Sequence, residues 1–126
     1  MIDFKPLSTV TAIITFTLFL CLLIVPEMIF ILFQIEESES AFFISRRAAM
    51  LFLGISIFSW LGRNAVHSIS RQSICIGLAI SMFGLAVLGS VEFLRGYAGV
   101  GVGLAVVTEL LLGIAYTNIW LLNRHA

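Results

Sequence analysis

Charge is what this sequence has least of. Of its 126 residues 11% are charged, seven basic and seven acidic, and the formal net charge is zero. An ordinary soluble domain carries about 25%. A water-soluble chain must cover its core with polar surface, and the residues for that surface are missing here. No stretch is basic enough to track a nucleic-acid backbone, so no nucleic-acid partner is expected. Histidine and cysteine are also scarce, two of each. Cys21 and Cys75 both lie inside apolar runs, neither with a CxxC partner, and read as small apolar filler. His67 and His125 lie outside the apolar runs, so a bis-histidine haem held within one chain is not expected. No HExxH, nucleophile elbow, phosphate-binding loop or dinucleotide fingerprint occurs. The sequence therefore points to no catalytic residue, metal ligand or cofactor.

What is present is apolar sequence, 60% of the chain, with a mean hydropathy of +1.12. The apolar runs are continuous and about 20 residues long, the length a helix needs to cross a bilayer. A membrane barrel would instead alternate apolar and polar over segments of about ten residues. Backbone polar groups in lipid are satisfied only in helices and closed barrels, so helices remain. Four segments are expected: residues 7–35, 41–65, 73–94 and 98–122. The connections are short, which makes successive helices antiparallel. The predicted fold is an all-α integral membrane protein, one domain over residues 1–126, forming an up-down-up-down four-helix bundle. Pro6 falls in a first turn, where it is tolerated, and Pro26 predicts a kink in the long first segment. Ser38-Glu39-Ser40 before Ala41 loosely resembles a small-x-small cleavage site, but the preceding stretch is far longer than a signal-peptide core. It reads as a retained helix.

Basic residues in loops set orientation. With both termini inside, the inner side holds Lys5, Arg63, Arg71 and Arg124, and the outer side Arg46, Arg47 and Arg95. Both termini are therefore expected in the cytoplasm. This places Trp60 and Trp120 at inner helix ends and Tyr97 at an outer turn, where such rings favour the interface.

Lipid tails are as apolar as leucine, so small residues that allow close approach drive helix packing. Gly99 and Gly103 stand in GxxxG spacing, with Gly113 further along the same segment. Gly77, Ser81 and Gly84 share a face of the third segment, and Gly54 marks one on the second. These are the expected packing residues, and the third and fourth segments should pair tightly. Whether the GxxxG face looks into the bundle or at a second copy is open.

Charges inside a bilayer are expensive and are candidates for function by default. Glu109 is the clearest, about ten residues and hence about 15 Å into the fourth segment. It is a candidate proton, cation or ligand site, or a hydrogen-bonded acid joining helices. Glu27, Arg46, Arg47 and Glu92 fall at one depth toward the outer face and could neutralise one another. Such a cluster could also hold a small anion or a head group on the arginines. Alternatively the arginines reach out to lipid phosphate. Glu92 and Arg95 are three apart, where side chains on a helix meet. Arg63, Asn64 and His67 gather at the inner end, with no oriented partner to make the histidine catalytic.

Three patterns carry a family resemblance. They are Val25-Pro26-Glu27 near the end of a long first helix, Arg46-Arg47-Ala48-Ala49 with Leu53-Gly54 and Trp60-Leu61-Gly62-Arg63, and a glycine-rich fourth helix. Together they resemble the small bacterial four-helix membrane proteins of the DoxX-like group. The resemblance implies a bacterial inner-membrane bundle with helix-two arginines near a buried site. Some DoxX-like proteins are linked to redox enzymes handling sulfur compounds and quinone. This chain has no redox-active cysteine pair, so that activity is not carried over.

Three functions compete. The first is an accessory or scaffolding subunit, with membrane lipids, a second copy or a larger membrane complex as partners. The second is a small proton-coupled transporter dependent on Glu109. The third is a lipid- or quinone-binding protein using the outer cluster.

Overall fold

The computed structural model describes residues 3–123; Arg124 and His125 lie outside the described residues. Five helices follow in order: α1 (Phe4–Ile24), α2 (Pro26–Phe33), α3 (Glu39–Leu61), α4 (Ile69–Leu94) and α5 (Val102–Asn123). Four of them, α1, α3, α4 and α5, are long and apolar enough to cross a membrane. Large apolar side chains face outward along them: Ile13 is 60% exposed, Leu51 73% and Leu111 64%. That is the surface lipid tolerates and water does not.

Pro26 breaks the first segment rather than kinking it. Proline has no N–H and its ring crowds the carbonyl four residues back, and it drives the preceding residue out of the helical region. Val25 duly sits at φ −133°, ψ 63°, and α2 restarts with Pro26 in its first turn. α2 ends on Gln34, a left-handed residue at φ 54°. Two hydrogen bonds close that end, Gln34 N–H to the Ile31 carbonyl (3.2 Å) and Ile35 N–H to the Phe30 carbonyl (2.8 Å).

Caps explain why α3 and α4 start before their apolar runs. The Ser38 hydroxyl accepts from Ala41 N–H at 3.0 Å, so the Ser38-Glu39-Ser40 pattern is a helix start. Ser68 accepts from Arg71 N–H at 3.1 Å and turns much of the expected 67–72 loop into the first turn of α4. α4 ends in a Schellman motif on Gly96 (φ 82°). There Tyr97 N–H bonds to the Glu92 carbonyl at 2.9 Å and Gly96 N–H to the Phe93 carbonyl at 3.1 Å. α5 starts at Val102 rather than 98, because glycines at 99 and 101 weaken the helix there.

The helices pack as two hairpins. α1 lies along α3 and α4 along α5, and the hairpins meet through α1 and α5. The termini share one end: Asp3, Arg63, Arg71 and Asn123 all surround one recess there. In that half the core is closed, with Cys75 and Tyr116 fully buried among Phe4, Leu7, Leu78 and Ile119.

The close approaches differ from those expected. Gly54, Gly77, Gly84 and Gly103 have nothing within 4 Å of where a Cβ would stand, and with Ser81 they face outward. Gly99 precedes α5 and belongs to the loop docked on α2. Of the seven expected packing residues only Gly113 lies close against a neighbouring helix, where a Cβ would stand 3.1 Å from the Phe83 ring. Its counterpart is Gly89, where a Cβ would come within 2.9 Å of Val106. Between α1 and α3 the small residues are Ser8 and Ala12 against Ala49, Ser56 and Ser59. The Ser8 hydroxyl donates to the Ser59 carbonyl (2.6 Å) and the Ser56 hydroxyl to the Ala12 carbonyl (2.9 Å).

Candidate functional site

Away from the termini the two hairpins part, and a cavity of about 320 Å³ opens between them. Every helix contributes to its wall: Ile14, Thr15, Leu18 and Leu22 from α1, Ile29, Leu32 and Phe33 from α2, Phe52 from α3, Met82 and Leu85 from α4, and Leu104, Ala105, Thr108, Glu109 and Leu112 from α5. Leu32, Leu85 and Leu104 are also 42%, 40% and 64% exposed, so the cavity reaches the lipid-facing surface between α2, α4 and α5.

The break at Pro26 separates α2 from α1, and α2 closes part of the cavity with Ile29, Leu32 and Phe33. α2 is fixed there by the loop before α5. Gly99 N–H donates to the Phe33 carbonyl at 2.6 Å. Gly101 lies against the Leu32 carbonyl so closely that no Cβ fits, and the Gln34 side chain covers Gly99 in the same way. Glycine is required by space at 101, where the Leu32 backbone blocks a Cβ; at 99 the Gln34 side chain would have to move.

Glu109 is the one ionisable group in this wall. It stands seven residues past Val102, about 10 Å along α5 at 1.5 Å per residue, nearer the helix start than the 15 Å expected from an earlier start. Its Oε2 is buried and has no hydrogen-bond partner among the described residues. The nearby hydroxyls are engaged elsewhere: Thr15 donates to the Thr11 carbonyl (2.7 Å) and Thr108 to the Leu104 carbonyl (2.9 Å). A buried polar atom without a partner is rare in folded proteins, and a carboxyl out of water demands a proton, a donor or a cation.

The remaining candidates are not gathered into one site. Glu27, Arg46 and Arg47 are exposed and Glu92 is half-buried, and none of these four side chains is ion-paired with another among the described residues. Arg47 lies 5.7 Å from the Phe43 ring. Arg95 stacks on Tyr97 at 5.1 Å instead of pairing with Glu92. At the opposite end, Arg63 and Asn64 line the recess by the termini, whereas His67 lines a neighbouring one. No group of three or more His, Cys, Asp or Glu side chains could hold a metal ion among the described residues.

No family model, curated protein or solved structure matches this chain. The site therefore rests on its own geometry.

Sequence reasoning found Glu109 but not its surroundings. Glu109 was legible because a carboxyl in an apolar run is conspicuous. The cavity was not, because its lining is leucine, isoleucine and phenylalanine, the residues that also face lipid.

Proposed function

We propose that this protein binds a lipophilic molecule that enters from the bilayer and carries a cationic or hydrogen-bond-donating group, held by Glu109. The observation that carries this reading is the buried, unpartnered Oε2 of Glu109 in a cavity otherwise apolar. Pockets for small molecules have this character, apolar walls with one or two placed polar groups that orient the ligand. The rim of Leu32, Leu85 and Leu104 gives a route in from lipid. Release of the bound molecule on the other side, in exchange for a proton on Glu109, would extend binding to proton-coupled transport.

The setting proposed for this activity is a bacterial inner membrane with both termini in the cytoplasm. It follows from Lys5, Arg63 and Arg71 at the end bearing the termini and from the DoxX-like resemblance.

The test uses the full chain in lipid nanodiscs and three ligands of equal tail, decylamine, decanol and decanoate. The expected order is amine over alcohol, with the carboxylate excluded. Replacing Glu109 by Gln removes the charge but keeps the shape, and should weaken the amine about tenfold or more, the usual worth of a charged hydrogen bond. Equal binding of all three ligands, unchanged by Glu109→Gln, would leave Glu109 as structural. A defined larger complex unaffected by that substitution would favour the accessory-subunit reading instead.

A further inference from the structure

A second recess lies at the other end of the molecule and owes nothing to Glu109. It has a volume of about 400 Å³ and sits where α1 begins, α3 and α5 end and α4 starts. Three of its walls are basic, Lys5, Arg63 and Arg71, against one acid, Asp3. None of the three cations is ion-paired among the described residues. Arg71 is half-buried, and its Nη1 donates to the Ala65 carbonyl at 3.2 Å. Its Nε is buried and bonded to nothing among the described residues. That buried Nε–H lacks an acceptor.

An apolar groove of about 440 Å³ lies between α1 and α3, walled by Ile13, Phe16, Ile57 and Trp60. Arg63 joins the two. It lines the recess, its Nη1 donates to the Trp60 carbonyl at 2.6 Å, and its guanidinium stacks on the Trp60 ring at 3.8 Å. A basic recess at the ends of membrane-length helices, linked through the Arg63–Trp60 contact to an apolar groove between α1 and α3, has the two-part chemistry of an anionic phospholipid. Arginine pairs well with phosphate through its planar fork, and the recess sits at the ends of helices long enough to span a bilayer.

We propose that this recess binds a phosphate group, that of an anionic phospholipid, whose acyl chain lies in the α1–α3 groove. The experiment is native mass spectrometry of the full chain in mild detergent, titrated with phosphatidylglycerol and with phosphatidylcholine. Inorganic phosphate is measured in parallel by calorimetry. Phosphatidylglycerol should bind about tenfold or more tightly than phosphatidylcholine. Lys5→Gln, at an exposed site with little bearing on folding, should weaken it about fivefold, the usual effect of one basic residue at a membrane surface. Arg71→Gln should weaken it further. Arg46→Gln with Arg47→Gln, at the far end, should leave it unchanged. Ile57→Trp, which fills the groove, should weaken the lipid and spare inorganic phosphate. Equal binding of both lipids, or equal loss in the far-end variant, overturns the site. Inorganic phosphate binding as tightly as phosphatidylglycerol, with Ile57→Trp silent, overturns the lipid as the source.

Discussion

At the scale of single residues, polar side chains are few; most hydroxyls bond back to their own helix, and a few also reach a neighbouring one. Thr11 shows this best. Its hydroxyl donates to the Leu7 carbonyl (2.9 Å) and lies 2.7 Å from the Tyr116 hydroxyl. The one hydrogen on Thr11 is taken by Leu7, so Tyr116 is the donor across the α1–α5 seam. Bonds of this kind within membranes average about 0.6 kcal/mol in double-mutant cycles. Thr11→Val and Tyr116→Phe should each lower unfolding stability by about that amount, and the double substitution should add little more. Reversible unfolding in mixed detergent micelles reads this directly. Glu109 departs from that pattern, since its buried Oε2 has no hydrogen-bond partner among the described residues. Glu109→Leu should raise stability by about 1–3 kcal/mol, the penalty of an unsatisfied buried group, while abolishing discrimination between decylamine and decanol. A loss of stability instead would show that the carboxyl already holds the helices together. Gly101→Ala should do the reverse, costing about 1–3 kcal/mol because a Cβ meets the Leu32 backbone; the same unfolding assay measures it.

At the scale of helices, hydropathy located four spans and the ends of the last two, expected at 94 and 122 and found at Leu94 and Asn123, but missed where they begin. The starts of α3 and α4 are set by single side chains, Ser38 and Ser68, whose effects are local and do not register in an apolar average. Pro26 was conspicuous, but sequence alone does not distinguish a bent helix from two helices. The difference depends on whether α2 has something to dock on, and that is the loop containing Gly99 and Gly101, some 70 residues away in the chain. Pro26→Ala restores an N–H that can bond to the Leu22 carbonyl and so favours a continuous helix. Hydrogen exchange at Gly99, whose N–H is held by the Phe33 carbonyl, should then accelerate; unchanged protection would mean that docking, not proline, places α2. The packing faces were misread for a related reason. Glycines draw attention, yet most of those singled out face outward. The face that seats α3 on α1 is built from Ser45, Ala49, Ser56 and Ser59, buried at helical spacing. Serine and alanine pack as closely as glycine while being ordinary helix residues.

At the scale of the whole molecule, the up-down-up-down order expected from short loops holds, but the four spans do not form an even square. Two hairpins share a seam near the termini and diverge beyond it, which is why one end is core and the other a cavity. The divergence is not legible in the linear pattern, because the cavity is lined by the same leucine, isoleucine and phenylalanine that face outward elsewhere. The outward glycines of α4 give a test of this arrangement. Gly77→Leu and Gly84→Leu, with no atom within 4 Å, should change stability by no more than about 0.5 kcal/mol, as surface substitutions do. Larger losses would place those positions against another helix.

The hairpin pairing also has a consequence for biogenesis. A chain is made from its N-terminus, and units fold as they emerge. α1, α2 and α3 can associate while α4 and α5 are still being synthesised. In that half-made protein α2 has no Gly99–Gly101 loop to rest on, and the carboxyl of Glu109 has not yet entered the membrane. The pocket is therefore the last thing to be made. Any product truncated before α5 lacks it altogether, so the ligand binding proposed for this pocket would report completed insertion of the second hairpin.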